Sequence, residues 1–295
     1  MQTWSVQVPA TTANLGPGFD VLGMALGLWN EIHVHRSDTL HIHVEGEGTN
    51  LIPRDETNLV YRAMVRLAEW VARPLPPVHL RLVNRIPLQG GLGSSSAAIV
   101  GGLLAAQEVL GVEVPREVLL QLAVELEGHP DNVAPALYRG LVATAVDEQG
   151  ALAVPIPVPD MRVAVVLPRV RVSTEEARRL LPSRVRHVDA VFNVARAVLV
   201  VQALSRGDYS LLARVMADRL HEPYRRILIP GYKAVRRAAL DAGAAAVAIS
   251  GSGPALVAFA PDRHGEIAQA MVKAFDRVGV PARGWILPVV PGNEK

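Results

Sequence analysis

A glycine-rich turn between a predicted strand and a predicted helix constrains this chain more than any other segment. Val78 to Val83 alternates as a strand, and Ala97 to Val109 is rich in alanine and leucine, as a helix is. Between them runs Pro87–Ala98, with the sequence Pro-Leu-Gln-Gly-Gly-Leu-Gly-Ser-Ser-Ser-Ala-Ala. Glycines let a ligand approach the backbone closely, and a helix N-terminus directs unpaired N–H groups and the positive end of its dipole at one point. This order of elements predicts an anion site suited to a phosphate.

The turn lacks the lysine that other phosphate loops use. The only lysines are Lys233, Lys273 and Lys295, so neither a Walker-type nor a protein-kinase-type lysine serves a nucleotide here. A nucleotide must instead be held by loop amides, serine hydroxyls, a metal ion and arginine. The alternative is an ordinary loop in which Ser94 only caps the helix.

Composition narrows the class of protein. The chain has 295 residues, enough for two domains of ordinary size, and its 30 Lys and Arg residues balance 28 Asp and Glu residues. Because the chain has no basic run, we expect a small-molecule partner and no nucleic-acid partner. The absence of cysteine excludes disulfides, thiolate nucleophiles and cysteine-ligated metals.

The sequence also bears on cellular location. The first residues lack the basic and apolar regions of a secretory leader, and no apolar stretch is expected to reach membrane-spanning length. We therefore expect a soluble cytoplasmic protein without membrane contact.

The first candidate site segment follows the N-terminal strand. Trp4–Val8 alternates as a strand, and Pro9–Asp20 is predicted to be a long turn rich in glycine and proline. Its short polar side chains Asn14 and Asp20 are candidates for ligand binding, because long loops in compact domains are commonly functional. Alternatively, both residues form Asx turns with their own backbone.

A second polar loop is predicted at Gly128–Pro135, after a helix over Pro115–Glu127. Four polar residues fall within six positions there: Glu127, His129, Asp131 and Asn132. Phosphoryl transfer needs a metal-binding carboxylate and polar groups that place the attacking hydroxyl, and this segment supplies both. The alternative assigns them ordinary roles as a helix-end carboxylate, a cap and turn formers.

Two strands early in the chain carry a group of histidines. Leu28–His35 and Thr39–Glu45 predict a hairpin about Arg36–Asp38. The histidines alternate along it at positions His33, His35, His41 and His43. A metal site across the two strands is possible by spacing, but alternation places these side chains on the polar face without a carboxylate among them, which favours a solvated surface.

The second half of the chain predicts another α+β unit. Pro155–Asp160 is the candidate boundary, which gives predicted domains of residues 1–158 and 159–295. A capping box over Ser173–Glu176 begins a short helix that carries Arg178. A second glycine turn, Ser250–Pro254, lies between two apolar strands. Helices are predicted at Val188–Leu204 and Ser210–Leu220, with Tyr224–Arg226 in a loop.

These segments together resemble the signature sequences of the GHMP kinases. Pro87–Ala98 resembles the phosphate-binding segment of that superfamily, and Ser250–Pro254 resembles its C-terminal glycine motif. Within the superfamily the chain is most similar to the homoserine kinases, because Pro9–Ala25 resembles their N-terminal signature and Glu127–Ala136 their central loop. Ser173–Arg178 and Glu222–Arg225 also resemble that family.

The resemblance implies a fold and a reaction. The fold is a two-domain α+β GHMP kinase fold, with an N-terminal domain like domain 2 of ribosomal protein S5 and a C-terminal ferredoxin-like α/β sandwich. The reaction is transfer of the γ-phosphate of ATP, with Mg²⁺, to the side-chain hydroxyl of L-homoserine for threonine synthesis. A homodimer is also implied.

The resemblance further implies roles for single residues. ATP is assigned to the glycine turn and its flanks: Pro87, Leu88, Gln89, Gly90, Gly91, Leu92, Gly93, Ser94, Ser95, Ser96 and Ala97. Homoserine is assigned to Asn14, Asp20, His129, Asn132, Thr174, Arg178, Arg225 and Gly251. The catalytic residues are Asn132, Asp131 and Arg178, and Mg²⁺ is assigned to Ser95 and Glu127, with Glu125 as the alternative to Glu127. Arginine suits the carboxylate of homoserine, and Asp20 or an amide oxygen suits its ammonium group.

One residue departs from the family pattern, and two rival functions remain open. Arg139 precedes Gly140 where the family usually has paired glycines, which bears on the turn there. The rivals are another small-alcohol kinase of the mevalonate type, in which Asp131 would be a base, and a non-catalytic GHMP-fold sensor.

Overall fold

A computed structural model describes residues 2–292, which form two β-sheets with helices packed on them. The first part comprises β1 Thr3–Ala13, β2 Leu22–Arg36, β3 His41–Gly46, α1 Leu59–Trp70, β4 Val78–Asn84, α2 Ser94–Leu110, α3 Arg116–Glu127, α4 Pro130–Tyr138, β5 Leu141–Asp147 and β6 Gly150–Ile156. The second comprises β7 Arg162–Pro168, α5 Thr174–Arg179, α6 His187–Arg206, α7 Tyr209–Val215, α8 Glu222–Arg225, α9 Tyr232–Asp241, β8 Ala246–Ile249, β9 Leu256–Phe259, α10 His264–Asp276 and β10 Ala282–Pro288. The chain changes sheet between Ile156 and Arg162; domain limits of 1–158 and 159–295 stay a prediction.

The 15-residue strand β2 organises the first sheet. It pairs antiparallel with β1 along most of its length, from His35 opposite Thr3 to Gly23 opposite Ala13. β4 pairs with the second half of β2, and β5 pairs with its first three residues. β3 and β6 extend the sheet beyond β4 and β5. Because β1 lies beside β2, its end delivers Asn14 to the same end of the sheet as the start of β2.

The predicted hairpin of β2 and β3 is wrong, because β4 lies between them. His79 on β4 is opposite His35 of antiparallel β2 and opposite His41 of parallel β3. The apolar residues of β4 alternate into the core and fill the row between the two strands. The imidazole rings of His35 and His41 lie 4.8 and 4.7 Å from that of His79. Within residues 2–292, no three His, Asp or Glu side chains are arranged to hold a metal ion.

The predicted N-terminal loop is shorter than expected. Strand pairing of β1 continues to Ala13, so only residues 14–21 connect it to β2. Thr11 and Thr12 belong to the strand, and their buried hydroxyls are hydrogen-bonded to the side chains of Asn132 and Ser250. Asn14 and Asp20 both have positive φ, 72° and 56°, which short polar residues adopt more readily than others.

The predicted polar loop at Gly128–Pro135 is mostly helical. Only Gly128 and His129 separate α3 from α4, and Pro130 occupies the first turn of α4, where a missing N–H costs nothing. Pro135 lies inside the helix and has no N–H for the carbonyl oxygen of Asp131. Gly23 of β2 packs there: a methyl group on it would lie 1.9 Å from that oxygen. Close packing on β2 thus stabilises a helix that the local sequence does not predict.

The second sheet has the order β10-β7-β9-β8, with every neighbouring pair antiparallel. Helices connect β7 to β8 and β9 to β10, so this unit has the expected ferredoxin-like arrangement. Its central strands are buried on both faces. Val163 and Val165 contact the large core shared with the first sheet, whereas Ala164 and Val166 contact the smaller core beneath α9 and α10.

Two predictions about the second half need correction. α7 ends at Val215 rather than Leu220, and Tyr224 and Arg225 belong to the short helix α8 rather than to a loop. The carboxylate of Asp218 accepts hydrogen bonds from the backbone N–H groups of Leu220, His221 and Glu222, at 3.1, 2.8 and 2.7 Å. This side chain therefore supplies partners for the backbone between the two helices.

The expectation that no apolar stretch reaches membrane-spanning length is wrong for α6. Its 20 residues are long and apolar enough to span a membrane, and 22% of its most apolar 18-residue stretch is buried. Val200, Ala203 and Leu204 pack into the core. The opposite side is exposed and carries Val188, Val191, Val194 and Val198.

Candidate active site

A single cavity of about 800 Å³ brings together most of the predicted site residues. The glycine turn before α2, the start of α4, the loop before β2 and the turn after β8 all contribute to its wall. Every predicted ATP, substrate, catalytic or metal residue lines it except Pro87 and Ser96. Residues far apart in the sequence therefore meet at one place.

The glycine turn is held closely by backbone from both halves of the chain. Gly91 has φ 72°, and a methyl group there would lie 2.2 Å from the carbonyl oxygen of Ser250. Gly93 has φ 69° and is the N-cap of α2. A methyl group on Gly93 would lie 1.9 Å from the Oγ1 of Thr11. Glycine is required at both positions by conformation and by space, which leaves the N–H groups of the turn close to the cavity.

Two hydroxyls in the first turn of α2 donate to one carboxylate. Ser95 and Ser96 place their Oγ atoms 2.6 and 2.8 Å from the same oxygen of Glu127. Glu127 is the last residue of α3, so this contact joins the two helices at the cavity wall. Glu125, the sequence alternative, instead pairs with Arg66 at 2.8 Å and does not line the cavity.

A hydrogen-bonded row crosses the start of α4. His129 Nδ1 lies 2.7 Å from a carboxylate oxygen of Asp131, and Asn132 Nδ2 lies 3.4 Å from that same oxygen. Burial lowers the pKa of His129, but its hydrogen bond to Asp131 and the charges of Asp131 and Glu127 raise it by more, so the net pKa is above the usual value. At the other end of the row, Thr11 donates to the Oδ1 of Asn132 over 2.8 Å.

Another part of the wall carries a paired carboxylate and guanidinium. Both carboxylate oxygens of Asp20 accept from Arg178, at 2.9 and 3.0 Å, in a bidentate pair that is about one third exposed. The side-chain oxygen of Asn14 accepts from the backbone N–H of Asp20 at 2.9 Å, and its amide donates to the carbonyl oxygen of Gly251 at 2.7 Å. Asn14 thus bonds backbone six positions away rather than forming a local Asx turn, and it links the loop before β2 to the turn Ser250–Pro254.

Arg225 is a buried cation beside the cavity. Its guanidinium donates to the carbonyl oxygen of Gly251 at 3.3 Å and lies 5.0 Å from the ring of Phe19. Burial lowers the pKa of Arg225 despite the nearby charge of Asp20. Thr174 lies across the same opening, with its hydroxyl 3.4 Å from that of Ser252.

A buried carboxylate supports this wall from behind. Glu222 accepts from the backbone N–H of Ile249 at 2.8 Å and from the hydroxyl of Tyr232 at 3.2 Å. Burial raises the pKa of Glu222 to about 7. Ile249 directly precedes the turn Ser250–Pro254, so this contact fixes the start of the turn.

The cavity lining also has an apolar part, contributed by the segment that follows β3 and by α1, β4 and the glycine turn. Its residues include Leu51, Ile52, Leu59, Leu82 and Leu88. An extended ligand with a polar and an apolar end therefore matches the cavity.

Sequence reasoning missed several polar residues of the site. Thr11 and Ser250 are wholly buried, and Ser250 Oγ lies 2.6 Å from the carbonyl oxygen of Gly91. Ser252 lines the cavity beside Thr174. The sequence does show these polar residues at positions in strands and turns that are otherwise apolar. That pattern does not predict which residues they bond.

Comparison with known proteins agrees with this geometry. The sequence pattern of the GHMP kinases N terminal domain matches residues 58–140, and that of the GHMP kinases C terminal domain matches residues 200–277. The homoserine kinase of Moorella thermoacetica is 46% identical over 93% of each chain. The homoserine kinase of Desulfitobacterium hafniense is 43% identical over 96% of each chain.

Solved structures give the same result. The crystal structure of homoserine kinase from Cytophaga hutchinsonii matches with a TM-score of 0.91 at 34% identity, over 99% of this chain and 96% of that one. A phosphomevalonate kinase from Streptococcus pneumoniae matches with a TM-score of 0.72 at 15% identity, over 97% of this chain and all of that one, and so shares the fold. The expected two-domain α+β fold is confirmed, and the chain belongs to the homoserine kinases, a family of the ATP-using GHMP kinases.

Proposed function

We propose that this protein transfers the γ-phosphate of ATP to the side-chain hydroxyl of L-homoserine and forms O-phospho-L-homoserine for threonine synthesis. The observation that carries this proposal is one cavity that holds both the glycine turn and the Asp20–Arg178 pair. The turn suits phosphates, and the pair with Arg225 suits an amino acid with both an ammonium and a carboxylate group.

The proposed reaction needs positioning more than a strong base. The hydroxyl oxygen of homoserine bonds to the γ-phosphorus as the bond from that phosphorus to the β–γ bridging oxygen breaks, and ADP leaves. The hydroxyl proton passes to an oxygen of the transferred group. Asn132 orients the hydroxyl from the start of α4. The carboxylate of Asp131 is already hydrogen-bonded to the side chains of His129 and Asn132. These contacts support an orienting role for Asp131, with its action as a base the alternative.

The residues at the start of α2 fit Mg²⁺. Ser95 and Glu127 place oxygen atoms 2.6 Å apart at the cavity wall, and hydroxyl and carboxylate oxygens are ligands that Mg²⁺ accepts together with phosphate oxygens. In the proposed site Ser95 and Glu127 hold the ion. Its chemistry is neutralisation of phosphate charge. Glu125 pairs with Arg66 and does not line the cavity, which supports Glu127 as the ligand.

The apolar part of the cavity lining suits the base of ATP. Leu51, Ile52 and Leu88 belong to it, and a flat aromatic base placed against them is removed from water. The turn then lies between the base and the amino-acid pocket. Residues 88–95 and Ala97 line the cavity and are accordingly proposed to contact the nucleotide, whereas Pro87 and Ser96 are proposed to support it from behind the wall.

We infer that the protein is a cytoplasmic homodimer whose contact surface is the exposed side of α6. Val188, Val191, Val194 and Val198 are 57, 53, 67 and 65% exposed and lie on one helix face. Nearby charges are already paired, because Arg186 and Arg219 both bond Asp189. A neutral apolar stripe along a 20-residue helix suits contact with the same stripe of a second copy, because a two-fold interface brings the same surface of both chains together.

Sedimentation tests the dimer. The wild type should sediment as a dimer, and Val194→Glu with Val198→Glu should produce a folded monomer. Val146→Glu, which changes a valine that is 62% exposed on β5, should remain dimeric. A monomeric wild type, or one that floats with phospholipid vesicles through α6, contradicts this assignment.

Kinetics of Arg178→Ala test the assignment of the amino-acid pocket. Loss of a charge-assisted contact to the substrate should raise the KM for homoserine by about 10–100-fold while the KM for ATP changes little. Arg179→Ala is the matched control, because Arg179 is 75% exposed and pairs with Glu175. Equal changes in both KM values would overturn the assignment. Strong turnover of mevalonate, the substrate expected of a mevalonate-type kinase, would overturn the proposed substrate.

A further inference from the structure

Thr11 links two parts of the site although it was not among the predicted residues. It lies on β1 with no exposed surface. Its backbone N–H donates to the carbonyl oxygen of Leu92 in the glycine turn at 3.1 Å, and its hydroxyl donates to Oδ1 of Asn132 at 2.8 Å. One residue therefore contacts both the phosphate-binding turn and the residue proposed to orient the acceptor hydroxyl.

The two neighbours of Asn132 fix which way its amide faces. Oδ1 accepts from Thr11, and Nδ2 lies 3.4 Å from the carboxylate of Asp131. Rotating the amide by half a turn would set its oxygen against that carboxylate, so electrostatics favour the observed orientation. In that orientation the side-chain N–H of Asn132 is the group that can donate to a ligand in the cavity.

The space around Gly93 strengthens this connection. A methyl group on Gly93 would lie 1.9 Å from the Thr11 hydroxyl and 3.3 Å from Oδ1 of Asn132. The hydroxyl thus occupies the volume beside the turn where a larger residue would have a side chain. Displacing it would disturb the turn and the amide together.

We propose that Thr11 is a positioning residue for phosphoryl transfer. It holds Oδ1 of Asn132 so that Nδ2 donates a hydrogen bond to the acceptor hydroxyl oxygen, and it fixes this amide relative to the glycine turn. Asn132 then places the attacking oxygen and does not take its proton. This inference rests on the proposed function, because it assigns the acceptor hydroxyl to the neighbourhood of Asn132.

Two substitutions separate the hydroxyl from the rest of the side chain. Thr11→Val keeps the shape and removes the donor, and we expect kcat to fall by about 10–100-fold with the KM for ATP within about twofold of wild type. Thr11→Ser keeps the donor and should retain kcat within about threefold. Thr144→Val is the control, because Thr144 is a buried strand threonine that donates to the carbonyl oxygen of Val21 at 3.0 Å, and neither residue lines the cavity. If Thr11→Val matches Thr144→Val in kcat, the proposal is wrong.

A double-mutant comparison tests whether Thr11 acts through Asn132. In an Asn132→Ala background, Thr11→Val should cause no further fall in kcat, whereas multiplied losses would show an independent role and overturn the proposal. A crystal structure of Thr11→Val gives a readout independent of the substrate. The Asn132 amide should leave its wild-type orientation, and an unchanged amide contradicts the proposal. If the wild type uses a different alcohol, the proposed function fails, but the same comparisons with that alcohol still decide the role of Thr11.

Discussion

The hydroxyl of Ser95 donates to the carboxylate of Glu127 over 2.6 Å, and this contact joins the first turn of α2 to the last residue of α3. The turn proposed to bind phosphate and the proposed Mg²⁺ ligand are thereby fixed relative to each other by two helices. Two residues earlier, Glu125 faces Arg66 and solvent instead. Position along α3 thus determines which carboxylate reaches the cavity.

Glu127→Gln should lower kcat by about 100-fold and raise the Mg²⁺ concentration needed for half-maximal rate, because the variant loses the charge that supports the ion. Glu125→Gln removes the same charge from the same helix but should retain the wild-type kcat within about twofold. Steady-state assays across a Mg²⁺ titration check both variants. The reverse ranking would assign the metal to Glu125.

Gly93→Ala should abolish most activity and lower the free energy of unfolding by at least about 2 kcal/mol, because the new methyl group would displace the Thr11 hydroxyl and the backbone has φ 69°. Gly111→Ala is the matched control. Gly111 has φ 62° with nothing within 4 Å of an added methyl group, so only the backbone cost of about 1 kcal/mol applies. Urea unfolding and ATP kinetics measure the difference, and equal effects at both glycines would contradict the packing argument.

Arg139→Gly should raise the free energy of unfolding by about 1 kcal/mol relative to Arg139→Ala. Arg139 has φ 62° and ψ −177°, a combination that glycine adopts without strain. Both variants lose the contact between the guanidinium and the ring of Trp29, 5.4 Å away, so their difference isolates the backbone. Urea unfolding of the pair checks this. Equal stability of the two would show that the turn is not strained.

Glu222 should make the protein less stable as pH rises. Burial raises its pKa from 4.5 to about 7, so the folded state binds more protons than the unfolded state between these values. Stability from this group is fully present below pH 4.5 and is lost as pH rises through 7. From pH 5 to pH 8 we expect a loss of about 2 kcal/mol.

Glu222→Gln checks that expectation, because it mimics the protonated carboxyl at every pH. The difference in free energy of unfolding between variant and wild type should grow by about 2 kcal/mol in favour of the variant from pH 5 to pH 8. Urea unfolding at several pH values gives this difference and cancels the contribution of other titrating groups. A difference that does not vary with pH would contradict the shifted pKa.

Local patterns predicted the parts of the fold that depend on neighbours in sequence. The strand, glycine turn and helix around Gly93 were predicted because turn residues and helix formers follow one another there. The N-cap half of the capping box at Ser173 is confirmed, since its hydroxyl accepts from the N–H of Glu176 at 3.0 Å. Family resemblance supplied the residues of the cavity, and the structure brings them within one volume.

Contacts between distant segments were not predictable in the same way. β4 separates β2 from β3 although it follows them in the chain, because strand order depends on packing of the whole sheet. α4 forms around Pro135 because Gly23, over 100 residues earlier, leaves room for it. The hydroxyl of Thr11 donates to Asn132, 121 positions away. In each case the contacting residue is remote in sequence, so local propensity does not predict the contact.

The most direct test of the central claim is a coupled assay of ADP release with Mg-ATP and, in parallel, L-homoserine, mevalonate, galactose and L-threonine. The cavity with Asp20 and Arg178 on one wall and the glycine turn on another predicts strong turnover with L-homoserine alone. Strong turnover with mevalonate or galactose would retain the phosphate-binding turn but contradict the amino-acid pocket. ATP binding without turnover of any of the four would contradict phosphoryl transfer to homoserine and favour a sensor.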